Sequence, residues 1–67
     1  MDFSKIRAIA HRNVFSKEDV IYENTGKTIY HAPVHYGVFR SESGDEWEIS
    51  PNTFDILLKE GTIRVIE

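Results

Sequence analysis

Two histidines four residues apart are the side chains in this sequence best suited to chemistry. The segment Tyr-His-Ala-Pro-Val-His-Tyr-Gly places His31 and His35 on either side of Pro33, each beside a tyrosine. On a helix this spacing puts two imidazoles on one face, as in many zinc sites, but a proline between them disfavours a helix. A zinc ion would also need a third ligand from far along the chain. We therefore expect no metal at these histidines, and we expect Pro33 to mark a bend between hairpins or a sheet edge.

An acid–base pair of His35 and Glu48 is the other candidate for chemistry, since imidazole titrates near neutral pH. The sequence has no cysteine, and it lacks both a GxSxG elbow and a glycine-rich phosphate loop. A domain this small also struggles to enclose a pocket of about 300 Å³. We therefore predict a protein without enzymatic activity and without a cofactor.

The length of 67 residues predicts one globular domain over residues 1–67. Such a chain should have a total stability of roughly 3–10 kcal/mol. Without cysteine it has no disulfide, so its core must come from packing, for which four Phe, three Tyr and one Trp are present. No stretch resembles a signal peptide or a membrane span, which predicts a cytoplasmic protein without membrane contact. The initial Met and the strand-like end favour a complete small protein.

Charge is divided unevenly along the chain. Residues 1–40 hold six Lys and Arg against four Asp and Glu, a balance of +2, whereas residues 41–67 hold two against seven, a balance of −5. Such polarity orients the encounter with a charged partner, and it equally suits two solvated faces.

The clearest secondary-structure signal predicts a helix over residues 51–60. Ser50 is a good N-cap, Pro51 suits the first helical position, and Gly61 can end the helix in a left-handed turn. The alternating β-branched residues 62–66 then predict a final strand.

Residues 36–49 predict a β-hairpin. If Arg40 pairs with Glu46 across a loop at residues 41–45, Phe39 faces Trp47 and the two aromatic rings share one face. In this register Gly37 faces Ile49 and Val38 faces Glu48.

Two earlier segments are ambiguous. Residues 20–30 favour a hairpin with the loop Asn24-Thr25-Gly26, which would place Glu23 beside Lys27 and Ile21 beside Ile29, although a short capped helix ending at Gly26 is an alternative. Residues 3–12 suit a helix with Phe3 on its apolar face, or a strand from Lys5 onward, which we favour because the rest is β-rich.

These elements together predict an α+β fold. We expect a small antiparallel β-meander or an SH3-like, partly open barrel of about five strands, with the short helix 51–60 near the C-terminus. The runner-up is a three-stranded sheet with two helices.

The leading functional hypothesis is a non-enzymatic protein-interaction module, in one version an inhibitor or regulator that binds the basic surface of a nucleic-acid-binding protein. Acidic side chains on a rigid scaffold can imitate phosphates and pair with Arg or Lys, with aromatic neighbours as anchors. The expected partner-binding residues surround the hairpin at 36–49: Glu42, Asp45, Glu46, Glu48, Tyr36 and Arg40.

The alternative is a small nucleic-acid-binding β-barrel that combines basic residues with tyrosines that stack on bases. Its expected binding residues are Lys5, Arg7, Arg12, Lys27, Arg40 and Tyr30. The acidic net charge of −3 opposes this hypothesis, because phosphate-binding domains usually carry a basic stripe. An exposed edge strand could also support a homodimer, since its unpaired amides accept another strand.

Overall fold

The computed structural model describes residues 5–66, which form an open five-stranded antiparallel sheet and one short helix. The elements in chain order are β1 (Ala8–Arg12), β2 (Asp19–His31), β3 (Val34–Ser41), β4 (Glu46–Ile49), α1 (Pro51–Glu60) and β5 (Ile63–Ile66). The strand order in the sheet is β4-β3-β2-β1-β5. The predicted α+β class is confirmed, with the sheet not closed into a barrel, and the runner-up of three strands and two helices is wrong.

Helix α1 has the predicted bounds, and its local signals explain why. The Ser50 hydroxyl accepts a hydrogen bond from the amide of Thr53 at 3.2 Å, and Pro51 occupies the first turn. At the other end Gly61 adopts a left-handed φ of 78° and donates its amide to the carbonyl of Leu58 at 3.1 Å. Both caps satisfy backbone groups that the helix itself leaves unpaired.

The core lies between α1 and one face of the sheet. Strands β4 and β5 are the two edges, so the helix that joins them has to cross the sheet, and it buries Phe54 there to 2% exposure. The buried residues of this layer are Ile6, Ile9, Phe39, Ile49, Phe54 and Ile63. We call this side of the sheet the helix-side face and the other side the open face.

The predicted register of the β3–β4 hairpin is confirmed at all four positions. Arg40 pairs with Glu46 and Phe39 with Trp47, and the remaining pairs are Val38 with Glu48 and Gly37 with Ile49. Phe39 is fully buried, and Trp47 is half-buried against the core. The alternation of apolar and polar residues was sufficient to set this register because one face is buried.

The prediction of a hairpin over residues 20–30 is wrong, as is the alternative helix. The chain continues through this segment as the single long strand β2. Neither of the predicted pairs forms: Glu23 lies opposite Arg40, and Ile29 lies opposite Tyr36. The pairing of β2 with β3 is irregular between Asn24 and Thr28, at the residues that were expected to form the loop.

The turn-forming residues of β2 make contacts to neighbouring chain segments. Gly26 does adopt a left-handed φ of 80°. However, the Asn24 side chain donates to the carbonyl of Ile6 at 2.8 Å, and the Thr25 hydroxyl donates to the carbonyl of Val38 at 2.8 Å. These hydrogen bonds tie the irregular part of β2 to the chain on either side of it. The strand therefore bulges there and continues in the same direction.

The N-terminal segment is a strand, as favoured, but it begins at Ala8 and not at Lys5. Phe3, which belonged to the alternative helix, lies outside the described residues. The last strand begins at Ile63, one residue later than predicted.

The segment around Pro33 is a bend, as predicted, but it is the turn within the β2–β3 hairpin and lies neither between two hairpins nor on an edge strand. The Ala32–Pro33 peptide bond is cis. The end of this hairpin curls over the open face. In a flat sheet the pairing would leave the Cα atoms of His31 and Glu48 about 17 Å apart, yet His31 Nε2 lies 3.3 Å from Glu48 Oε1. The curl helps to explain why Val38, on the face opposite to α1, is only 4% exposed.

Two loops lie side by side at the other end of the sheet. Strands β1 and β3 run in the same direction, so the β1–β2 loop (residues 13–18) and the β3–β4 loop emerge at the same end. Helix α1 also ends there, because β5 begins beside His11. Within residues 5–66 no helix is long and apolar enough to cross a membrane.

Candidate functional site: the acidic hairpin tip

The β3–β4 loop carries the densest group of predicted site residues, and we call it, together with the strand residue on either side, the acidic tip (residues 41–46). Its backbone is organised by Ser41, which is buried. The Ser41 hydroxyl accepts from the amide of Asp45 at 3.1 Å and lies 2.9 Å from the hydroxyl of Ser43. The Ser41 amide donates to the carbonyl of Asp45 at 2.8 Å, and the Gly44 amide donates to the carbonyl of Ser41 at 3.0 Å. The tip is therefore held in one shape by its own hydrogen bonds.

Two of the three carboxylates in the acidic tip, those of Glu42 and Asp45, lie outside the ion pairs of the described residues. The carboxylate of Asp45 accepts a hydrogen bond from the Ser43 hydroxyl at 3.2 Å, and Glu42 is exposed. Among residues 5–66 neither forms an ion pair. Their negative charges are thus available to an external partner.

Glu46 is engaged within the molecule. Arg40 donates to its carboxylate at 2.9 Å across the β3–β4 pair. The hydrogen bond and the charge of Arg40 hold the pKa of Glu46 below its ordinary value, and the charge of Lys27 acts weakly in the same direction. The negative charge of Glu46 is therefore largely balanced by Arg40, and Glu46 adds less to the surface charge of the tip than Glu42 and Asp45 do.

Glu48 and Tyr36 lie further from the tip, where the curled hairpin meets β4. Glu48 contacts His31 at 3.3 Å, and the His31 ring meets the ring of Tyr36 edge-on with centroids 5.3 Å apart. These side chains share the open face with Arg40 and Glu46, because each belongs to the same alternation along the paired strands. The structure thus brings Tyr36, Arg40, Glu46 and Glu48 together on one face, with Glu42 and Asp45 at its end.

A groove of about 730 Å³ lies beside the acidic tip. Glu23 and Glu42 contribute negative charge to its lining, and Lys27 and Arg40 contribute positive charge. Ile21, 40% exposed, supplies an apolar contact. Ile21 and Glu23 were not among the predicted site residues, because both belong to the segment that was wrongly predicted as a hairpin. The pairing of Glu23 with Arg40 brings them to the tip.

The residues expected to bind nucleic acid are dispersed. Lys27 and Arg40 line the same groove, whereas Arg12 pairs with Asp19 at the first residue of β2 and Tyr30 is next to its last. Lys5 and Arg7 precede β1. The tyrosines also lie on different faces. Tyr30 pairs with His35, whereas Tyr36, the residue after His35, lies on the opposite face of the sheet. These side chains do not form one basic and aromatic stripe.

The two histidines near Pro33 lie on opposite faces of the sheet. His31 pairs with Val34 and Tyr30 with His35, so His31 contacts Tyr36, while the His35 ring lies tilted against that of Tyr30 with centroids 4.6 Å apart. Within the described range no three His, Asp or Glu side chains converge on a point where a metal ion could bind.

His11 lies far from both, beside Tyr22 and Trp47 on the helix-side face, with its ring centroid 5.1 Å from that of Trp47.

Comparison of the chain with protein-family models, with curated proteins and with solved structures finds no match.

Proposed function

We propose that this protein is a small non-enzymatic interaction module whose acidic tip binds a basic surface on another protein. The observation that carries the proposal is a tip fixed by its own hydrogen bonds, in which neither Glu42 nor Asp45 forms an ion pair among residues 5–66. Because the loop is already ordered, a partner would not have to supply the entropy cost of fixing it.

The charge pattern supports a basic partner. Residues 41–67 carry a balance of −5, and carboxylates on a rigid scaffold form strong charge-assisted hydrogen bonds with Arg and Lys. A field of this sign accelerates encounter with a cationic surface and weakens as salt is added. In a more specific form, we propose that the protein is an inhibitor or regulator that occupies the phosphate-binding surface of a nucleic-acid-binding protein.

The groove beside the tip supports contact by a long side chain of the partner. An Arg or Lys stem could pack on Ile21 while its charged head reaches Glu23 or Glu42, which line the same groove. Long basic side chains bury their aliphatic stems in this way.

The experiment is affinity capture from an extract of the source cells with three forms of the protein. Glu42→Lys reverses a charge at the tip, and Asp55→Lys makes the same net change on the exposed side of α1. We expect the wild type and Asp55→Lys to retain the same basic proteins and Glu42→Lys to lose them, with release by rising salt. Capture of one identical set by all three forms would overturn the proposal.

Two further measurements separate the specific form from the alternative. If the partner is a nucleic-acid-binding protein, added DNA or RNA should displace it from the acidic tip. If the module instead binds nucleic acid itself through Lys27, Arg40 and the other dispersed basic residues, labelled single or double strands should bind directly at low salt. Direct binding that Glu42→Lys strengthens would favour the alternative.

A further inference from the structure

The β1–β2 loop holds its backbone in one shape while presenting apolar side chains to solvent. The Asn13 side chain accepts from the amides of Phe15 and Ser16 at 2.9 and 3.3 Å. The Asn13 carbonyl accepts from the amide of Lys17 at 2.8 Å, and the Asn13 amide donates to the carbonyl of Glu18 at 3.0 Å. Four hydrogen bonds to one residue leave this short loop little freedom.

Phe15 and Val14 stand at the apex of this loop. Phe15 is 96% exposed and Val14 is 74% exposed, although burying a phenylalanine side chain is worth about 1.5–3 kcal/mol. Lys17 takes a left-handed φ of 62°, which costs a non-glycine residue roughly 1–2 kcal/mol. The loop thus maintains a strained backbone and an unburied aromatic ring in the same few residues.

A cleft of about 320 Å³ lies directly beside this apex, between the β1–β2 loop and the end of α1. Val14, Arg12 and Lys17 line its loop side, and Glu60, Gly61 and Thr62 line its helix side. An apolar cavity of about 150 Å³ accommodates benzene, so the cleft has room for one phenyl ring. Val14 and the aliphatic stems of Arg12 and Lys17 supply apolar contact.

We propose that the protein forms a two-fold symmetric dimer in which Phe15 of each copy occupies this cleft of the other. A two-fold interface uses the same patch on both copies, so a protruding group and its receiving site must be neighbours on one surface. Here the protruding Phe15 adjoins the cleft-lining Val14, so both copies can insert their rings at once.

The charges of the patch are also self-complementary. Arg12 and Lys17 on the loop side face Glu60 on the helix side, so a two-fold operation can bring cations of one copy towards acids of the other. A phenyl ring within about 6 Å of a Lys or Arg head group gains a further cation–π contact. A partner of uniform charge would not match both sides of this cleft.

The dimer is expected to be weak and reversible. Two inserted aromatic rings bury about 150–250 Å² each, which is small beside the 1,200–2,000 Å² of standard stable interfaces. Association should therefore be visible only at high protein concentration. It uses a surface separate from the acidic tip and does not depend on the function proposed above.

The experiment is sedimentation analysis across a concentration series up to the millimolar range. We expect concentration-dependent dimerisation of the wild type, and a dissociation constant at least about tenfold larger for Phe15→Ser, since truncated central aromatic anchors cost this much or more. Ile56→Ser removes another exposed apolar side chain, on α1, and should leave the dissociation constant unchanged. Thermal melts check that each variant folds.

A mixing experiment tests the inserted geometry itself. Val14→Glu places a carboxylate in the cleft but retains Phe15, whereas Phe15→Ser retains the cleft. The mixture should associate more strongly than either variant alone and more weakly than the wild type, because only the heterodimer has one Phe15 ring in one intact cleft. A wild type that stays monomeric at millimolar concentration, a dimer unaffected by Phe15→Ser, or a mixture that associates no more strongly than either variant alone would each overturn the proposal.

Discussion

The β1–β2 loop and the acidic tip lie side by side at one end of the sheet and are built on the same plan, yet they display opposite chemistry. In each, one polar side chain near the start of the loop organises the backbone: Asn13 in the first and Ser41 in the second. The first loop presents Phe15 to solvent, and the second presents Glu42 and Asp45.

This difference shows that the internal hydrogen bonds fix the shape of each loop independently of what the loop displays. The exposed side chains contribute little to folding, so they are free to take part in recognition. A carboxylate tip acts over a distance and is sensitive to salt, whereas a phenyl ring acts at contact and depends on a fitting cleft. One end of a small sheet thus presents two surfaces for which we propose two kinds of binding.

The largest effect should come from the core on which both loops rest. Phe54→Ala removes a ring that is 2% exposed between α1 and the sheet, which typically costs about 3–5 kcal/mol. That is comparable with the total stability of roughly 3–10 kcal/mol expected for this length. Denaturant unfolding measures the loss, and hydrogen exchange at the amides of Phe15 and Asp45 tests whether both loops open together. Continued protection of either amide in the variant would show that its loop is ordered independently.

The side chains of Ser41 and Asn13 should contribute differently to the free energy of unfolding. Ser41→Ala leaves a partly buried amide of Asp45 without its acceptor, and such a group costs about 1–3 kcal/mol. Asn13→Ala removes acceptors from exposed amides, which water can partly replace, so we expect about 0.5–2 kcal/mol, as for helix caps. Denaturant midpoints of the two variants give the order. A larger loss for Asn13→Ala would mean that the exposed β1–β2 loop depends more on its side chain than the acidic tip does.

The two loops also differ in which residue type occupies the position with left-handed backbone. Gly44 takes a φ of 95° in the acidic tip, whereas a lysine, Lys17, takes a φ of 62° in the β1–β2 loop. Gly44→Ala should lower stability by about 1–2 kcal/mol, and Lys17→Gly should raise it by up to about 1 kcal/mol, since the relieved strain exceeds the added chain entropy. Opposite shifts in melting temperature are the expected result. A loss of stability on Lys17→Gly would show that the lysine side chain holds the loop.

Gly26 shows why part of the fold could not be predicted from the sequence. It has the same left-handed backbone as Gly44, with φ values of 80° and 95°, and both follow residues typical of turns. The segment at Gly44 reverses the chain, because the apolar and polar residues of β3 and β4 on either side of it alternate in one common antiparallel register. The segment at Gly26 does not, because Asn24 and Thr25 bond to segments distant in sequence.

The elements that were predicted correctly are those whose signals are local. Ser50, Pro51 and Gly61 specify the bounds of α1, and the alternation around Phe39 and Trp47 specifies the β3–β4 register. The groove beside the tip depends on the pairing of Glu23 with Arg40, which a misassigned β2 concealed. The cleft beside Phe15 depends on α1 ending next to the β1–β2 loop, a tertiary arrangement that no pattern within either segment indicates.

The smallest expected effect distinguishes the carboxylate of Glu46, which is paired with Arg40, from those of Glu42 and Asp45, which form no ion pair among residues 5–66. Arg40 lowers the pKa of Glu46 through a hydrogen bond and its charge, so Arg40→Met should raise that pKa towards its ordinary value. A lowered pKa in the folded state contributes stability above the unfolded-state pKa, and this contribution is lost as pH falls through the folded-state pKa. The stability difference between the wild type and Arg40→Met should therefore be present at neutral pH and disappear in acid.

Titration of the Glu46 side-chain carboxyl by NMR measures the pKa directly, and Arg64→Met, which removes a cation paired with Asp19 away from the tip, is the matched control. High salt should reduce the difference between the wild type and Arg40→Met, because the pair is exposed and readily screened. An unchanged pKa of Glu46 in Arg40→Met would mean that its carboxylate is as free as those of Glu42 and Asp45. The binding surface of the acidic tip would then include three available carboxylates in place of two, and Glu46→Lys should abolish partner capture as fully as Glu42→Lys.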